Sequence, residues 1–146
     1  MKSRSERLAL VQSVRAREEE AVRKRLAQLQ GQLQEAQATL SALEQYAQEY
    51  QQQLTRGGAT QIHVLQQVQL FLARLDDACA QQRQLIEKLE VQVQRVRLEW
   101  QQAHQKSERM ADLVARARTE EETAREKRLQ GQLDDMAARN FWQKIK

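Results

Sequence analysis

Apolar residues recur along the chain at alternating intervals of three and four positions, in two long runs. The first run spans residues 22–54 and the second spans residues 65–117. This spacing places side chains on one face of an α-helix, and its seven-residue period is typical of coiled coils. Within the second run, Gln82 is the one polar position before Ser107. The pattern predicts two long amphipathic helices.

The segment TRGGATQ separates the two runs and predicts a turn. Gly57 and Gly58 tolerate the positive φ angles of turns, and Arg56 can lie near the carbonyl groups of a helix end. Two helices joined by a short turn bury their apolar faces most simply against each other. We therefore predict an all-α fold, a single-domain, long antiparallel two-helix coiled-coil hairpin. The expected boundaries are about 3–55 for helix 1, 56–60 for the turn, 61–139 for helix 2 and 140–146 for a tail.

The second predicted helix is longer than the first. At 1.5 Å per residue it would extend about 120 Å, against about 80 Å for a first helix of about 50 residues. We therefore expect an overhanging C-terminal helix. Its segment 116–128 holds few large apolar residues. This segment is a lone charged helix, a frayed end or a docking element, and we favour docking on a partner.

Composition agrees with long helices and excludes several classes of protein. The 146 residues include no Pro, and an aromatic content of 4% with a mean hydropathy of −0.83 is too low for a conventional globular core. No stretch approaches the roughly 20 consecutive apolar residues that span a bilayer, and no apolar signal region follows the N-terminus. We expect a cytosolic protein without direct membrane insertion. The single cysteine, Cys79, cannot form an internal disulfide, which suits a reducing compartment.

Charge is distributed unevenly along the chain. The net charge of +4 divides into +4 for residues 1–25, −2 for residues 26–96 and +2 for residues 97–146. In a hairpin the first and last segments lie together, so the open end would carry about +6. Such polarity would orient the molecule in a charged ring or socket, and a simply solvated surface is the alternative. Because basic and acidic residues are mixed, we expect no nucleic acid partner.

The sequence offers no arrangement for catalysis or cofactor binding. A two-stranded coiled coil has no interior pocket for a catalytic cluster. His63, His104 and Cys79 lie far apart without metal-ligand or nucleophile–base spacing, and no Gly-rich phosphate loop is present. We interpret them as two solvated histidines and a small core residue. We therefore expect no enzyme activity, no cofactor and no metal.

One flank of the predicted seam is apolar and the other is polar. With Leu40 at heptad position a, position g holds Thr39, Tyr46, Val64, Phe71, Ala78 and Leu85. Position e holds Gln30, Gln37, Glu44, Gln51, Gln69, Asp76, Arg83 and Glu90. In an antiparallel pair g faces g, and facing residues should have numbers that sum to about 117, as Tyr46 and Phe71 do. The g residues should form a semi-exposed strip that anchors a partner, although such a face also thickens a seam or mediates homodimerisation.

Several features around the predicted turn form a family motif. Leu40-x-x-Leu43-x-x-Tyr46-x-x-x-Tyr50 precedes the turn, Phe71-x-x-x-Leu75-x-x-Ala78-x-x-x-Gln82 follows it, and Trp100 lies later in the second helix. In these features the chain resembles the flagellar export protein FliJ family, from about Leu8 to Phe141. Val68 stands where many members carry a further aromatic residue.

The resemblance implies a stalk-like coupling protein of the bacterial flagellar type III export apparatus. Family members are similar to the central stalk of rotary ATPases, insert their open end into the hexameric export ATPase, engage the cytosolic domain of the export gate protein FlhA and escort export chaperones. The implied location is cytoplasmic, peripheral to the inner membrane at the flagellar base. The implied gate-binding patch consists of Leu43, Tyr46, Tyr50, Phe71, Leu75 and Ala78. The alternatives are a virulence type III secretion stalk, an unrelated coiled-coil scaffold and a nucleic-acid-binding rod.

Overall fold

The computed structural model describes residues 1–57 and 61–145, and this part of the chain forms two α-helices. Helix α1 is Arg4–Gly57 and helix α2 is Ile62–Ile145. The helices pack against each other, which confirms the predicted all-α hairpin. The glycine turn was expected over 56–60, and residues 58–60 of it lie outside the described residues.

Both helices extend past their expected C-terminal ends, α1 by two residues to Gly57 and α2 by six residues to Ile145. Helix α2 continues to Ile145, past the end expected near residue 139, and no Pro or Gly follows Gly131.

Helix α1 begins with a Ser-x-x-Glu motif, in which the Ser3 hydroxyl accepts a hydrogen bond from the backbone N–H of Glu6 at 3.2 Å. This bond satisfies one of the N–H groups left free at a helix start.

The predicted seam is the buried face of the structure. Every position of the two apolar runs is buried or half-buried, including Gln82 and Ser107. The buried apolar residues are Ala36, Val68, Leu75, Cys79, Ile86, Leu89, Val93, Val96, Val114 and Ala117. Around the buried Ala36 pack Ile86 and Leu89 from α2 and further leucines from α1. The heptad prediction is therefore confirmed.

Contacts along the two helices group into two units, and each unit contains a piece of both helices. The central unit is Val22–Trp100, and the terminal unit is Met1–Ala21 with Gln101–Lys146. The predicted patch lies in the central unit, whereas the chain ends lie in the terminal unit. Among the described residues, neither helix contains an apolar stretch that could cross a membrane.

The register of the central unit agrees with the expected pairing once side-chain direction is considered. The Tyr46 and Phe71 rings are in contact, and their numbers sum to 117 as expected. Arg25 and Glu99 form an ion pair at 2.9 Å although their numbers sum to 124. Helical side chains lean toward the N-terminus of their own helix, and a long one reaches back by about one turn. In an antiparallel pair both side chains lean toward lower residue numbers, so each end of a long ion pair is displaced. The two residue numbers of such a pair therefore sum to more than 117, as they do for Arg25 and Glu99.

Candidate functional site

Three aromatic rings from the two helices meet on one flank of the central unit. Tyr46 and Tyr50 lie one turn apart on α1, with ring centroids 6.4 Å apart. Phe71 of α2 lies 6.0 Å from Tyr46 in an edge-to-face arrangement and 5.0 Å from Tyr50. All three separations lie within the range at which aromatic side chains attract one another, and edge-to-face is one of the favoured arrangements. The structure thus joins residues that are separated in sequence by the turn.

The six predicted patch residues differ in their exposure. Tyr46 is 50% exposed, whereas Leu75 is only 8% exposed and belongs to the seam. The other four, Leu43, Tyr50, Phe71 and Ala78, are half-buried. Tyr46 is therefore the patch residue most accessible to a partner, and Leu75 is positioned to support the patch from inside the seam.

The apolar strip extends along α2 beyond the aromatic rings. Val64 and Leu85 are 43% and 45% exposed, and both keep the g positions predicted for them. The opposite flank is polar and is closed by an ion pair between Glu44 and Arg83 at 3.0 Å. The difference between the flanks, deduced above from heptad positions, is thus visible in the folded chain.

The polar seam residue Gln82 has a structural role. Its side-chain amide donates a hydrogen bond to the backbone carbonyl of Ala36 at 3.0 Å. Ala36 is 4% exposed, and its short side chain allows the amide to approach the α1 backbone. A polar residue at a core position of a coiled coil commonly specifies the register at some cost in stability.

In the terminal unit, α1 begins against a carboxylate from α2. Glu121 accepts hydrogen bonds from the backbone N–H of Ser5 at 3.0 Å and from the Ser5 hydroxyl at 2.7 Å. The hydrogen bond from the Ser5 hydroxyl has the largest effect on the pKa of the Glu121 carboxyl and lowers it below its ordinary value. The bond from the Ser5 backbone N–H lowers it further. A carboxylate is also favoured at a helix N-terminus by the helix dipole. Nothing in the heptad pattern indicated this contact.

His104 was expected to be solvated, and its side chain is 40% exposed, but it also has carboxylate partners that were not predicted. The half-buried His104 ring lies 2.7 Å from the Glu19 carboxylate of α1 and 3.2 Å from Glu108 of its own helix. The hydrogen bond with Glu19, together with both negative charges, raises the pKa of His104 above its ordinary value. Sequence spacing missed the pair because Glu19 and His104 lie 85 residues apart. His63 is exposed and Cys79 is a buried seam residue, as expected.

The C-terminal part of α2 is exposed on every side within the terminal unit. Ala117 is buried and Glu121 contacts Ser5, so the fully exposed segment begins at residue 122 rather than at residue 116. We call residues 122–145 the overhang. Its exposed large apolar residues are Leu129, Leu133, Met136, Phe141, Trp142 and Ile145.

The terminal unit covers fewer residues than the 1–25 and 97–146 for which +6 was counted, and it carries a smaller net charge. This unit contains fifteen basic and twelve acidic residues, a net charge of +3, because the basic run at residues 23–25 belongs to the central unit. Part of the basic charge is also paired, as in Arg4 with Glu120 at 3.7 Å. Across residues 1–57 and 61–145, no three His, Cys, Asp or Glu side chains are grouped to hold a metal ion.

These features define an all-α coiled-coil hairpin protein with an exposed aromatic cluster on one flank. The family described as "Flagellar FliJ protein" matches residues 4–146, nearly the whole chain. The chain belongs to this family, and it is a coiled-coil protein of flagellar export. The family is a non-catalytic component that associates with the flagellar export apparatus. Comparisons with curated proteins and with solved structures gave no match.

Proposed function

We propose that this protein is the stalk-like coupling component of the flagellar type III export apparatus, with one binding surface in each unit. The observation that carries the proposal is the aromatic cluster of Tyr46, Tyr50 and Phe71 on the apolar flank. In this proposal, the cluster binds the cytosolic domain of the export gate protein FlhA. The terminal unit binds the hexameric export ATPase, and the protein escorts export chaperones at the flagellar base.

The gate assignment rests on exposure and chemistry. Aromatic residues dominate binding energy at interfaces because they bury a large area with few rotatable bonds, and anchors cluster at the centre of an interface. Tyr46 leaves half of its surface accessible while its ring is held against Phe71. A ring already ordered by its neighbours loses little conformational entropy when a partner covers it.

Binding to the purified cytosolic domain of the gate tests this assignment. Tyr46→Ala and Phe71→Ala should each weaken binding at least tenfold, which corresponds to about 1.4 kcal/mol. The matched control is Gln51→Ala, an exposed α1 residue on the polar flank, which should leave the affinity unchanged. Equal affinities for wild type, Tyr46→Ala and Phe71→Ala, measured per folded molecule, would refute the gate assignment.

The ATPase assignment rests on the overhang. Residues 122–145 are exposed throughout, and they carry six large apolar side chains, a concentration that interaction sites show. Such residues on a charged helix suit insertion into a protein ring. The family match to a flagellar protein favours the flagellar system over a virulence secretion system.

Stimulation of the purified export ATPase tests the second assignment. Deleting residues 126–146 should reduce the stimulation of ATP hydrolysis or of hexamer assembly while binding to the gate domain is retained. The control is Leu98→Ala, which truncates a similarly exposed apolar residue in the central unit. Unchanged stimulation by the truncated chain would show that the overhang is not the ATPase-binding element.

A further inference from the structure

The apolar strip of the central unit has the repeat of a coiled-coil seam. Val64, Phe71, Ala78 and Leu85 follow one another at intervals of seven residues along α2, a length of about 32 Å at 1.5 Å per residue. On α1 the strip continues with Tyr46 and Thr39. The Thr39 hydroxyl donates to the backbone carbonyl of Glu35 at 2.9 Å, which leaves its methyl group for apolar contact.

Charged residues of opposite sign border this strip on its two sides. The outer neighbour of a g position on a helix is the c position, three residues farther along. Beside Thr39 and Tyr46 the c positions of α1 are Glu35, Ala42 and Glu49, and from Phe71 to Leu85 those of α2 are Arg74, Gln81 and Lys88, all exposed. The next c position of α1, Arg56, is basic and lies past the tyrosines, toward the end of α1. The strip is therefore bordered by an acidic edge on α1 and a basic edge on α2.

These edge charges differ from those of the opposite flank. There, Glu44 and Arg83 neutralise each other across the seam at 3.0 Å. Between the edges of the strip, no ion pair joins Glu35 or Glu49 to Arg74 or Lys88 within residues 1–57 and 61–145. The apolar strip lies between the two edges, so their charges are available to a partner that covers it.

We infer that the strip binds an amphipathic α-helix of a partner as a third coiled-coil strand, aligned by the two charged edges. A seven-residue apolar repeat is complementary to another helix with the same repeat. The edges require acidic side chains on the flank of that helix that faces α2 and basic side chains on the flank that faces α1. The inference deepens the proposed gate site, and it rests on that proposal only in treating the patch as a docking surface.

Three designed peptides of three heptads test the inference on the full-length protein. All carry Leu at positions a and d, and they differ at positions e and g: the mixed peptide has Glu at e and Lys at g, the acidic peptide has Glu at both, and the basic peptide has Lys at both. Fluorescence anisotropy at nanomolar peptide and low salt should show the mixed peptide binding about tenfold more tightly than the other two. The preference should shrink at high salt because exposed charges are screened.

Reversing one edge should reverse the preference. In the double variant Arg74→Glu with Lys88→Glu both edges are acidic, so the basic peptide should become the tightest and the mixed peptide should lose about tenfold. The control is Arg95→Glu, which makes one such charge reversal at the next c position of α2. There the g residue is the polar Gln92 and the strip has ended, so this variant should keep the wild-type order of affinities.

The outcomes separate the inference from the proposed gate function. Equal binding of the three peptides, binding by none of them, or an unchanged order in the double variant would overturn the third-helix inference. If the gate domain still binds and is weakened by Tyr46→Ala but not by the double variant or by excess mixed peptide, the inference fails and the gate function stands. If the peptides behave as expected and the gate domain does not bind, the gate function fails and the inference stands.

Discussion

Tyr46 and Leu75 belong to the same proposed patch, but replacing each by alanine should have different consequences. Tyr46→Ala should weaken binding more than it lowers stability, and Leu75→Ala should lower stability more than it weakens binding. Leu75 is 8% exposed in the seam, whereas Tyr46 is 50% exposed on the flank. Leu75→Ala should cost about 2–5 kcal/mol of unfolding free energy, the range for a buried Leu→Ala change. Tyr46→Ala should cost less, because only half of the ring is buried.

The Tyr46 value follows from the area that the ring buries. A fully buried aromatic side chain covers about 150–250 Å², so the half-buried Tyr46 covers about 100 Å². At about 25 cal/mol per Å² this gives an upper limit of about 2.5 kcal/mol, and about 1–2 kcal/mol once the area kept by the alanine is subtracted. For affinity the order should invert. Tyr46→Ala should weaken gate binding at least tenfold and Leu75→Ala less than threefold for the folded fraction.

Two measurements on the same samples test this inversion. Urea unfolding followed by circular dichroism gives the free energies, and calorimetry with the gate domain at a temperature where both variants are folded gives the affinities. The reasoning is refuted if Leu75→Ala lowers the affinity of folded protein as much as Tyr46→Ala does. It is also refuted if Tyr46→Ala is the more destabilising change, because the ring would then be part of the core.

Three further predictions concern contacts between the helices. The raised pKa of His104 adds stability that is complete below pH 6.5, the ordinary pKa of histidine, and is lost as pH rises through the folded pKa. The melting temperature should therefore fall more steeply between pH 5.5 and pH 8.5 in the wild type than in His104→Gln. The lowered pKa of Glu121 adds stability that is present above pH 4.5 and is lost as pH falls through the folded pKa. At neutral pH, Glu121→Ala should therefore accelerate amide hydrogen exchange in the first turn of α1, at Ser5. The control Glu122→Ala, at the neighbouring position, should not. Replacing Gln82 by Leu should add about 1 kcal/mol to the unfolding free energy through apolar burial, and the melting temperature should rise. A lower melting temperature would show that the hydrogen bond outweighs that burial.

The sequence determined the two helices and their buried faces. A repeat of three and four residues can place apolar side chains on one side only of a helix, and the absence of Pro lets each helix continue. Positions as different as Ala36, Gln82 and Ala117 therefore lie in the seam where the repeat puts them. The heptad labels also paired Tyr46 with Phe71, because the period is local and the turn sets the register.

Only the tertiary structure decided how individual side chains use that frame. The His104 ring lies 2.7 Å from the Glu19 carboxylate, 85 residues away in the sequence, and the repeat did not predict that contact. The Glu121 carboxylate meets the start of α1 at Ser5, 116 residues away. Such contacts depend on the lean and reach of each side chain across two antiparallel helices, and these distances exist only after the helices have packed.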